Sequence, residues 1–353
     1  MESSLLPPPR LRKPALAYSQ SSKQMYPSVL TAVLQSMPQN VKIPDDIRNL
    51  GELVDMGSVT YVGGFGIITK GLLHSDLEPN GIIAVAIKSL KPPGPTDEDI
   101  DRMYRRLRRE MAVWKRLKHD NVVTLVGMVC DLNCKFIGMV SVWMDGGDLH
   151  QHLRSNPCLE DEHRFMLCRD VAKGLAYLHS KGVIHGDLTS SNVLISSTGT
   201  ACITDFGLST IPAEFDGTSL VTSIVGGAMR FRAPELLPTI DTEVDVIFTA
   251  PLRPECDVYS LGSVLLEILT GKHPYHAISK DMCVFVARLR GHPPGQPSGA
   301  LVGEYWELVQ HCWAIEPASR PHAHEVYSRL LSLQDPPPYE LVTFPTISGA
   351  FKL

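Results

Sequence analysis

The chain contains no long hydrophobic run. Its most apolar stretch, residues 258–269, is short and is interrupted by Glu267, whereas a membrane-spanning helix needs about 20 predominantly apolar residues. The start of the chain also lacks the basic residues and the apolar middle of a secretory signal. We therefore expect no membrane partner, and we predict a cytoplasmic protein with the nucleus as the alternative compartment.

Paired cysteines and excess basic charge are absent as well. The eight cysteines show no CxxC spacing, which indicates reduced thiols rather than a disulfide framework or a zinc ribbon. The 33 basic and 38 acidic side chains give a net charge of −5, which argues against a general affinity for nucleic acid. The length of 353 residues allows about two units or one large two-lobed unit.

The two ends of the chain differ in composition from its middle. Residues 1–47 are rich in Pro, Ser and Gln and predict a flexible arm. Residues 334–353 return to a similar composition, and Pro336–Tyr339 fits the PPxY ligand of WW domains, with a plain linker as the alternative. We expect the folded region to span about residues 52–333.

The first part of the folded region predicts a small antiparallel sheet with one helix. Thr96 and Asp99 form a capping box, after which apolar residues recur at helical spacing as far as residue 117. The arginines of this helix predict a solvated face, with docking of acidic or phosphorylated sequence as the alternative. Short β-branched or apolar segments predict strands at 82–87, 122–129 and 136–142.

Helical periodicity dominates after Gly146 and Gly147. The predicted helices, separated by Gly and Pro, span 161–180, 256–270, 278–290, 302–313 and 322–333. These patterns predict an α+β fold. A small antiparallel β-rich lobe over 52–144 precedes a larger, mainly helical lobe over 145–333.

One segment in the second lobe carries chemistry. Asp187 and Asn192 lie five positions apart, and Asp205 follows a short apolar strand. Phosphoryl transfer needs Mg²⁺ held by oxygen ligands and an acceptor hydroxyl held in line. The spacing therefore predicts Asp187 as the base and Asn192 and Asp205 as metal ligands.

Other motifs follow the order found in one enzyme family. A glycine-rich segment at 61–68 precedes the strand that ends at Lys88, and Ala233-Pro234-Glu235 lies downstream of Asp205. Over about residues 52–333 this order resembles the eukaryotic protein kinases. The resemblance implies a bilobal fold that uses ATP and Mg²⁺, with a protein as the phosphate acceptor.

The resemblance also assigns roles to individual residues. Lys88 contacts the α- and β-phosphates and pairs with Glu110, whereas Asp187 orients the proton of the acceptor hydroxyl. Asn192 and Asp205 bind the two Mg²⁺ ions. The residues implied to line the nucleotide site are Val62, Gly63, Gly64, Phe65, Gly66, Ile68, Ala86, Lys88, Ser141, Met144 and Leu194.

The family also implies supporting contacts. Glu235 pairs with Arg320, because a buried carboxylate without a partner is costly. Asp257 supports the loop of residues 185–192, which the resemblance identifies as the catalytic loop. His185 packs near Phe206. Asp148 either caps the following helix or meets the ribose, and capping is favoured.

Three residues depart from the family pattern. Tyr61 stands at the first glycine of the loop, Gly186 replaces the arginine beside Asp187, and Thr189 stands where a lysine is usual. Loss of one donor to a developing negative charge costs about 2.7–4 kcal/mol, so we expect a slower enzyme. The resemblance favours the tyrosine-kinase-like group and a Ser/Thr kinase, with tyrosine as an alternative acceptor. A pseudokinase scaffold that binds nucleotide or partners with little turnover is the alternative function.

Overall fold

The computed structural model describes residues 47–62, 66–74, 81–90, 96–130, 137–206, 227–237, 252–295 and 303–333. Several segments with a prediction attached lie outside these residues. They are residues 1–46 of the expected arm, the loop residues Gly63, Gly64 and Phe65, and the tail 334–353 with its PPxY segment. The predictions made for these segments stay predictions.

A five-stranded antiparallel sheet forms the first lobe. Its strands are β1 (Val54–Val62), β2 (Gly66–His74), β3 (Ile82–Leu90), β4 (Leu125–Cys130) and β5 (Ile137–Val142), in the spatial order β1-β2-β3-β5-β4. On one face Val85, Ile87 and Val140 are fully buried in a small apolar cluster. Since side chains alternate along a strand, Ala86 and Lys88 lie on the opposite face.

Helix α1 (Asp97–Trp114) begins at the predicted capping box. The backbone N–H of Asp99 donates to Thr96 Oγ1 at 3.2 Å, and the Asp99 carboxylate accepts from the Thr96 side chain at 2.6 Å. The helix ends three residues before the predicted residue 117, because the amides of Arg116 and Leu117 bond to carbonyls three residues back.

The arginine-rich side of α1 faces solvent. Arg102, Arg105 and Arg108 are exposed, and Arg102 donates to Glu98, one turn earlier, at 3.3 Å. Exposed pairs of this kind contribute about 0.3–0.5 kcal/mol. The prediction of a solvated face is confirmed for these three arginines, and the docking alternative stays a prediction.

The second lobe is mainly helical. Its helices are α2 (Leu149–Ser155), α3 (Asp161–Ser180), α4 (Pro254–Thr270), α5 (Asp281–Leu289), α6 (Glu304–Cys312) and α7 (Ala323–Ser332), and a small ribbon pairs β6 (Val193–Ile195) with β7 (Ala201–Ile203). Each predicted helix is confirmed within three residues at both ends. In the described part of the chain no helix combines the length and the apolar character needed to cross a membrane.

Helix α4 runs through the centre of the second lobe. All of its residues from Cys256 to Leu269 are buried. It packs closely on α6, since a Cβ added to Gly262 would lie 2.6 Å from Cys312 Cβ. Any larger residue at 262 would therefore push these helices apart.

Asp257, near the start of α4, holds the catalytic loop. Its carboxylate accepts from the backbone N–H groups of His185 and Gly186, each at 2.8 Å, and lies 2.9 Å from His179 Nε2. Asp257 is only 1% exposed, so these partners offset the cost of burying its charge. The predicted support of the loop by Asp257 is confirmed.

Gly186 adopts a backbone conformation that L-residues rarely occupy. Its φ is +78°, in the left-handed region where a Cβ costs about 1–2 kcal/mol. The absence of a side chain at this position therefore relieves backbone strain beside Asp187. This position is the one where the resemblance stated above implies an arginine.

The predicted ion pair between Glu235 and Arg320 is confirmed. The guanidinium donates to both carboxylate oxygens, at 2.5 and 2.9 Å, and it stacks on the Tyr259 ring at 5.1 Å. Burial alone would raise the pKa of Glu235, but the hydrogen bonds and the charge of Arg320 outweigh it, so the pKa lies below its usual value.

Arg320→Met should lower the free energy of unfolding by about 3 kcal/mol, because it leaves Glu235 without its cation. Arg329→Met is the matched control: it breaks the exposed Arg329–Glu304 pair, whose side chains are 50% and 62% exposed. We expect that control to change stability by less than about 1 kcal/mol. Urea unfolding of both variants checks this, and equal losses would contradict the assignment.

Stability should also fall in acid through Glu235. A carboxyl whose folded pKa is depressed stabilises the fold above its unfolded pKa of about 4.3, and this contribution is lost as pH falls through the folded pKa. Unfolding free energies measured from about pH 6 downward should therefore drop more steeply for the wild type than for Glu235→Gln. Parallel pH curves would show that Glu235 carries no such contribution.

Gly186→Ala should destabilise the protein by about 1–2 kcal/mol, because alanine is strained at positive φ. Gly295→Ala serves as the control, since Gly295 has no positive φ and a Cβ there would meet nothing within 4 Å. We expect stability of that control to be unchanged or raised by up to about 1 kcal/mol. Thermal unfolding of the two variants distinguishes strain at 186 from a general effect of replacing glycine.

Candidate active site

The strand register places several of the predicted nucleotide-site residues on one face of the sheet. Lys88 on β3 lies opposite Ile68 of β2, and Ala86 lies opposite Ser141 of β5. Directly opposed residues of antiparallel strands project to the same side. This face is therefore shared by the four residues, and it is the face turned away from the small apolar cluster.

Lys88 joins three separate elements through two ion pairs. Its Nζ lies 2.7 Å from Glu110 Oε1 on α1 and 2.7 Å from Asp205 Oδ1 after β7. Burial by itself lowers the pKa of Lys88, but the two carboxylates outweigh burial and raise it, so the lysine is charged. The predicted pair between Lys88 and Glu110 is confirmed.

Aromatic packing fixes the position of α1 against the loop that carries Asp205. Trp114 lies one turn beyond Glu110 and packs on Phe206, with ring centroids 5.8 Å apart. The His185 ring meets Phe206 edge-on at 5.7 Å, as predicted. The helix that carries Glu110 and the loop that carries Asp205 therefore share one packed ring, which holds both acids near Lys88.

The backbone of the catalytic loop is held by its own side chains. The N–H of Asp187 donates to His185 Nδ1 at 3.2 Å, and Asn192 Nδ2 donates to the Asp187 carbonyl at 2.8 Å. The Asp187 side chain is 14% exposed. Burial raises the pKa of this carboxyl, and the nearby Arg232 opposes the rise without cancelling it.

Asp205 has the backbone of a strained residue. Its φ is +66° although it is not glycine, and such conformations persist only where the surroundings impose them. The preceding Thr204 is tied down on both sides: its N–H donates to the Asn192 carbonyl at 2.9 Å, and its carbonyl lies 2.9 Å from His185 Nε2. These contacts and the pair with Lys88 hold the Asp205 carboxylate in the cleft.

Asn192 and Asp205 offer two oxygen ligands, which fits a Mg²⁺ ion that is also bound by phosphate and water better than a metal bound by protein side chains alone. Because Asn192 Nδ2 is used by the Asp187 carbonyl, the Asn192 amide oxygen is left as an acceptor. Among the described residues no group of three His, Cys, Asp or Glu side chains is placed to hold a metal. Mg²⁺ commonly takes one or two protein oxygens and completes its shell with phosphate and water. The donor set fits that pattern.

Residues 143–148, which link β5 to α2 and are called the hinge here, are hydrogen-bonded to the β6–β7 ribbon. Gly146 N donates to the Ile195 carbonyl at 2.9 Å, and Ile195 N donates to the Gly147 carbonyl at 2.8 Å. Leu194 of β6 is the neighbour of Ile195, and Leu194 and Met144 are both partly buried against the main core. These two residues, both predicted to line the nucleotide site, therefore lie on segments joined by hydrogen bonds.

Asp148 acts as a helix cap. Its Oδ1 accepts from the backbone N–H of Gln151 at 2.9 Å at the start of α2. This confirms the favoured of its two predicted roles, because a side chain oxygen engaged at a helix N-terminus stabilises one of the unpaired amides there.

The glycine-rich segment is described only at its edges. Gly63, Gly64, Phe65 and the Val62 side chain lie outside the described part. For Gly66 the structure gives a reason that the sequence did not: a Cβ there would lie 2.6 Å from the Ser89 carbonyl oxygen of β3. A glycine is therefore needed at 66 for strand packing, whether or not a phosphate approaches.

Tyr61, at the position of the family's first glycine, reaches the hinge. Its ring lies 5.9 Å from the Trp143 ring, and Lys70 Nζ lies 4.6 Å from the same indole. Tyr61 is still 52% exposed. The departure at this position thus adds a contact between β1 and the hinge.

Sequence reasoning missed Arg232. Its Nη2 donates to Asp187 Oδ1 at 2.9 Å, across 45 residues of sequence. The signal available was an arginine directly before Ala233-Pro234-Glu235, in a chain without a cation at 189–191. Nothing in that local pattern shows that the arginine reaches the catalytic loop, so no role was assigned to it.

Comparisons with known proteins agree with this geometry. RAF proto-oncogene serine/threonine-protein kinase of Xenopus laevis is 31% identical over 237 residues, covering 66% of this chain and 33% of the relative. Leucine-rich repeat receptor-like protein kinase PXC2 of Arabidopsis thaliana is 28% identical over 310 residues, covering 82% of this chain and 29% of the relative.

A third relative is the putative serine/threonine-protein kinase/receptor R826 of Acanthamoeba polyphaga mimivirus. It is 29% identical over 307 residues, covering 86% of this chain and 17% of the relative. The chain therefore spans a third or less of the length of these three relatives. Their names support the predicted likeness to the tyrosine-kinase-like group.

The family model described as protein tyrosine and serine/threonine kinase matches residues 55–330. This match covers both lobes, including β3, α1, the catalytic loop and α4, with the ion pairs described above. The chain belongs to the protein tyrosine and serine/threonine kinase family and carries its kinase domain at these residues.

Proposed function

We propose that this chain is an active, ATP-dependent protein kinase that transfers the γ-phosphate to Ser or Thr hydroxyls of proteins. The observation that carries the proposal is the pairing of one largely buried lysine, 14% exposed, with two acids. Lys88 holds Glu110 and Asp205 at 2.7 Å each. A lysine held in this way presents a fixed positive charge in the cleft, where nucleotide phosphates require one.

Asp187 is the proposed base. In the reaction the acceptor oxygen bonds to the γ-phosphorus, the bond from that phosphorus to the β–γ bridging oxygen breaks, and ADP leaves. Asp187 takes the proton of the acceptor hydroxyl. The loop contacts to His185 and Asn192 hold the backbone of Asp187 in place.

Asn192 and Asp205 are the proposed Mg²⁺ ligands. Bound Mg²⁺ would neutralise charge on the phosphates as it develops. The wall of the nucleotide site is proposed to include Ile68, Ala86, Ser141, Met144 and Leu194, together with Val62 and the loop residues 63–66. The shared sheet face and the tied hinge support this set.

Ser/Thr specificity and the domain limits are also proposals. Two of the relatives carry serine/threonine-protein kinase in their names, which supports Ser/Thr over Tyr. The domain is proposed to span residues 52–333, with lobes at 52–144 and 145–333, and the family match over 55–330 supports these limits. Cytoplasmic location and a WW-domain partner remain predictions.

Asp187→Asn should lower the kcat of phosphate transfer by the full chain by about 10²–10⁴, because the amide cannot accept the proton. The measurement is radiolabel transfer from ATP with Mg²⁺ to the chain itself and to a mixed protein acceptor. Phosphoamino-acid analysis of the product should give phosphoserine and phosphothreonine. Product that is only phosphotyrosine would contradict the proposed specificity.

The matched control is Asp120→Asn. The Asp120 side chain is 90% exposed and lies 3.9 Å from Lys173 Nζ, so this variant should transfer phosphate at the wild-type rate. Thermal unfolding with and without Mg²⁺ and ATP should show that Asp187→Asn still folds and still gains stability from nucleotide. Equal transfer by wild type and folded Asp187→Asn would sink the catalytic role.

A nucleotide-binding pseudokinase is the second candidate. It is favoured by the contact of Arg232 with Asp187 Oδ1, which occupies one oxygen of the proposed base, and by Gly186 and Thr189. In that case Mg²⁺ and ATP would raise the melting temperature of the wild type while no transfer occurs. The same two measurements therefore separate the active kinase from the scaffold.

A further inference from the structure

The catalytic loop contributes no positive charge next to Asp187. Positions 189–191 are Thr-Ser-Ser. Thr189 is only 7% exposed, and the Ser190 hydroxyl donates to the buried Glu267 at 2.6 Å. These side chains are neutral, and Ser190 is engaged in supporting the loop. A positive side chain beside Asp187 must therefore come from another segment.

The segment before Ala233 delivers such a cation. Arg232 Nη2 lies 2.9 Å from Asp187 Oδ1, and the two side chains are 3% and 14% exposed. A guanidinium remains charged at any working pH. Because water is largely excluded from this pair, the charge acts on Asp187 more strongly than an exposed cation at the same distance would.

The contact is not needed to hold the loop backbone. That backbone is already fixed by Asp257, which accepts from the amides of His185 and Gly186, and by the Asn192 side chain on the Asp187 carbonyl. Arg232 instead reaches the Asp187 carboxylate, the group proposed to meet the acceptor hydroxyl. This distinguishes it from Arg320, whose partner Glu235 lies outside the proposed site.

We propose that Arg232 is a positioning residue that replaces the cation missing from positions 189–191. It holds Oδ1 of Asp187, which leaves Oδ2 for the acceptor hydroxyl, and it places a fixed positive charge beside the reacting groups. The inference rests on the proposed kinase function. It explains how a chain without a catalytic-loop lysine retains a cation at this place.

The test removes the positive charge at position 232 and introduces one at position 189 of the catalytic loop. Steady-state kinetics over ATP and acceptor concentration compare the wild type with Arg232→Gln, Arg232→Lys and the double variant Arg232→Gln/Thr189→Lys, all as the full chain. Arg232→Gln should lower kcat by about 10²–10³, as for loss of one donor to the transition state. The KM for ATP should change little, because the lost interaction does not bind the nucleotide ground state.

Rescue separates positioning from folding. Arg232→Lys should keep more activity than Arg232→Gln. The double variant Arg232→Gln/Thr189→Lys should have a kcat at least about tenfold higher than that of Arg232→Gln, in line with non-additive effects between neighbouring groups. A merely structural arginine would show neither the split between kcat and KM nor recovery by a cation placed on the other segment.

Arg230 provides the matched control. It is 8% exposed, stands two residues before Arg232, and pairs with Asp281 at 2.9 Å. Arg230→Gln should lower the melting temperature, as removal of a partner from a buried network does. Thr189→Lys should not restore any rate lost in Arg230→Gln, since Arg230 bonds to Asp281 and to the carbonyls of Pro274 and Tyr275 rather than to Asp187.

Each outcome decides the inference. Arg232→Gln with wild-type kcat, or with a higher kcat, would overturn it, because the arginine would then be idle or would mask Asp187. Failure of Thr189→Lys to restore activity in a folded double variant would also overturn it. A wild type that transfers no phosphate overturns the proposed function and this inference together, whereas an active wild type with an indifferent Arg232→Gln overturns this inference alone.

Discussion

The Lys88 ammonium holds together three parts of the chain that are far apart in sequence. It bonds to Glu110 of α1 and to Asp205 after β7, at 2.7 Å each. A lysine that is only 14% exposed would be costly without these partners. The sheet, α1 and the Asp205 loop must therefore dock in one arrangement, and that arrangement is the one that forms the cleft.

A second set of buried charges supports the cleft from below. Asp257 and Glu267 both belong to α4, the most buried helix of the second lobe. Asp257 accepts from two backbone amides of the catalytic loop, and Glu267 binds the Ser190 hydroxyl and lies 2.6 Å from His150 Nδ1. Buried acids are tolerated here because each has several hydrogen-bond partners, and these bonds hold the loop of residues 185–190 against α4.

The departures from the family pattern have physical counterparts in the structure. Gly186 stands where the resemblance implies an arginine, and it occupies a backbone conformation with φ of +78° that suits glycine. Tyr61 replaces a glycine and meets the hinge at Trp143. Thr189 stands where the resemblance implies a lysine, and Arg232 places a guanidinium 2.9 Å from Asp187 Oδ1. The chemistry of a site depends on which charged groups lie close together in the folded protein. A charge that is absent from one segment can therefore be provided by a residue of another segment.

Local patterns in the sequence determined most of the elements. Helix α3 was predicted at its observed limits, 161–180, and the capping box at Thr96 marked the start of α1, because period and capping depend on residues within a few positions. Family motifs added the partners Lys88 and Glu110, and Glu235 and Arg320, which no local pattern links.

Tertiary structure alone decided the remaining features. In the sheet β5 lies between β3 and β4. This order depends on which strand pairs with the edge of β3 after the chain has passed through α1, and no local pattern specifies that pairing. The need for glycine at 66 comes from the Ser89 carbonyl on a neighbouring strand, and the reach of Arg232 to Asp187 spans 45 residues. Contacts of this kind depend on how the whole core packs, and packing is set by long-range burial of charge and apolar surface rather than by local propensity.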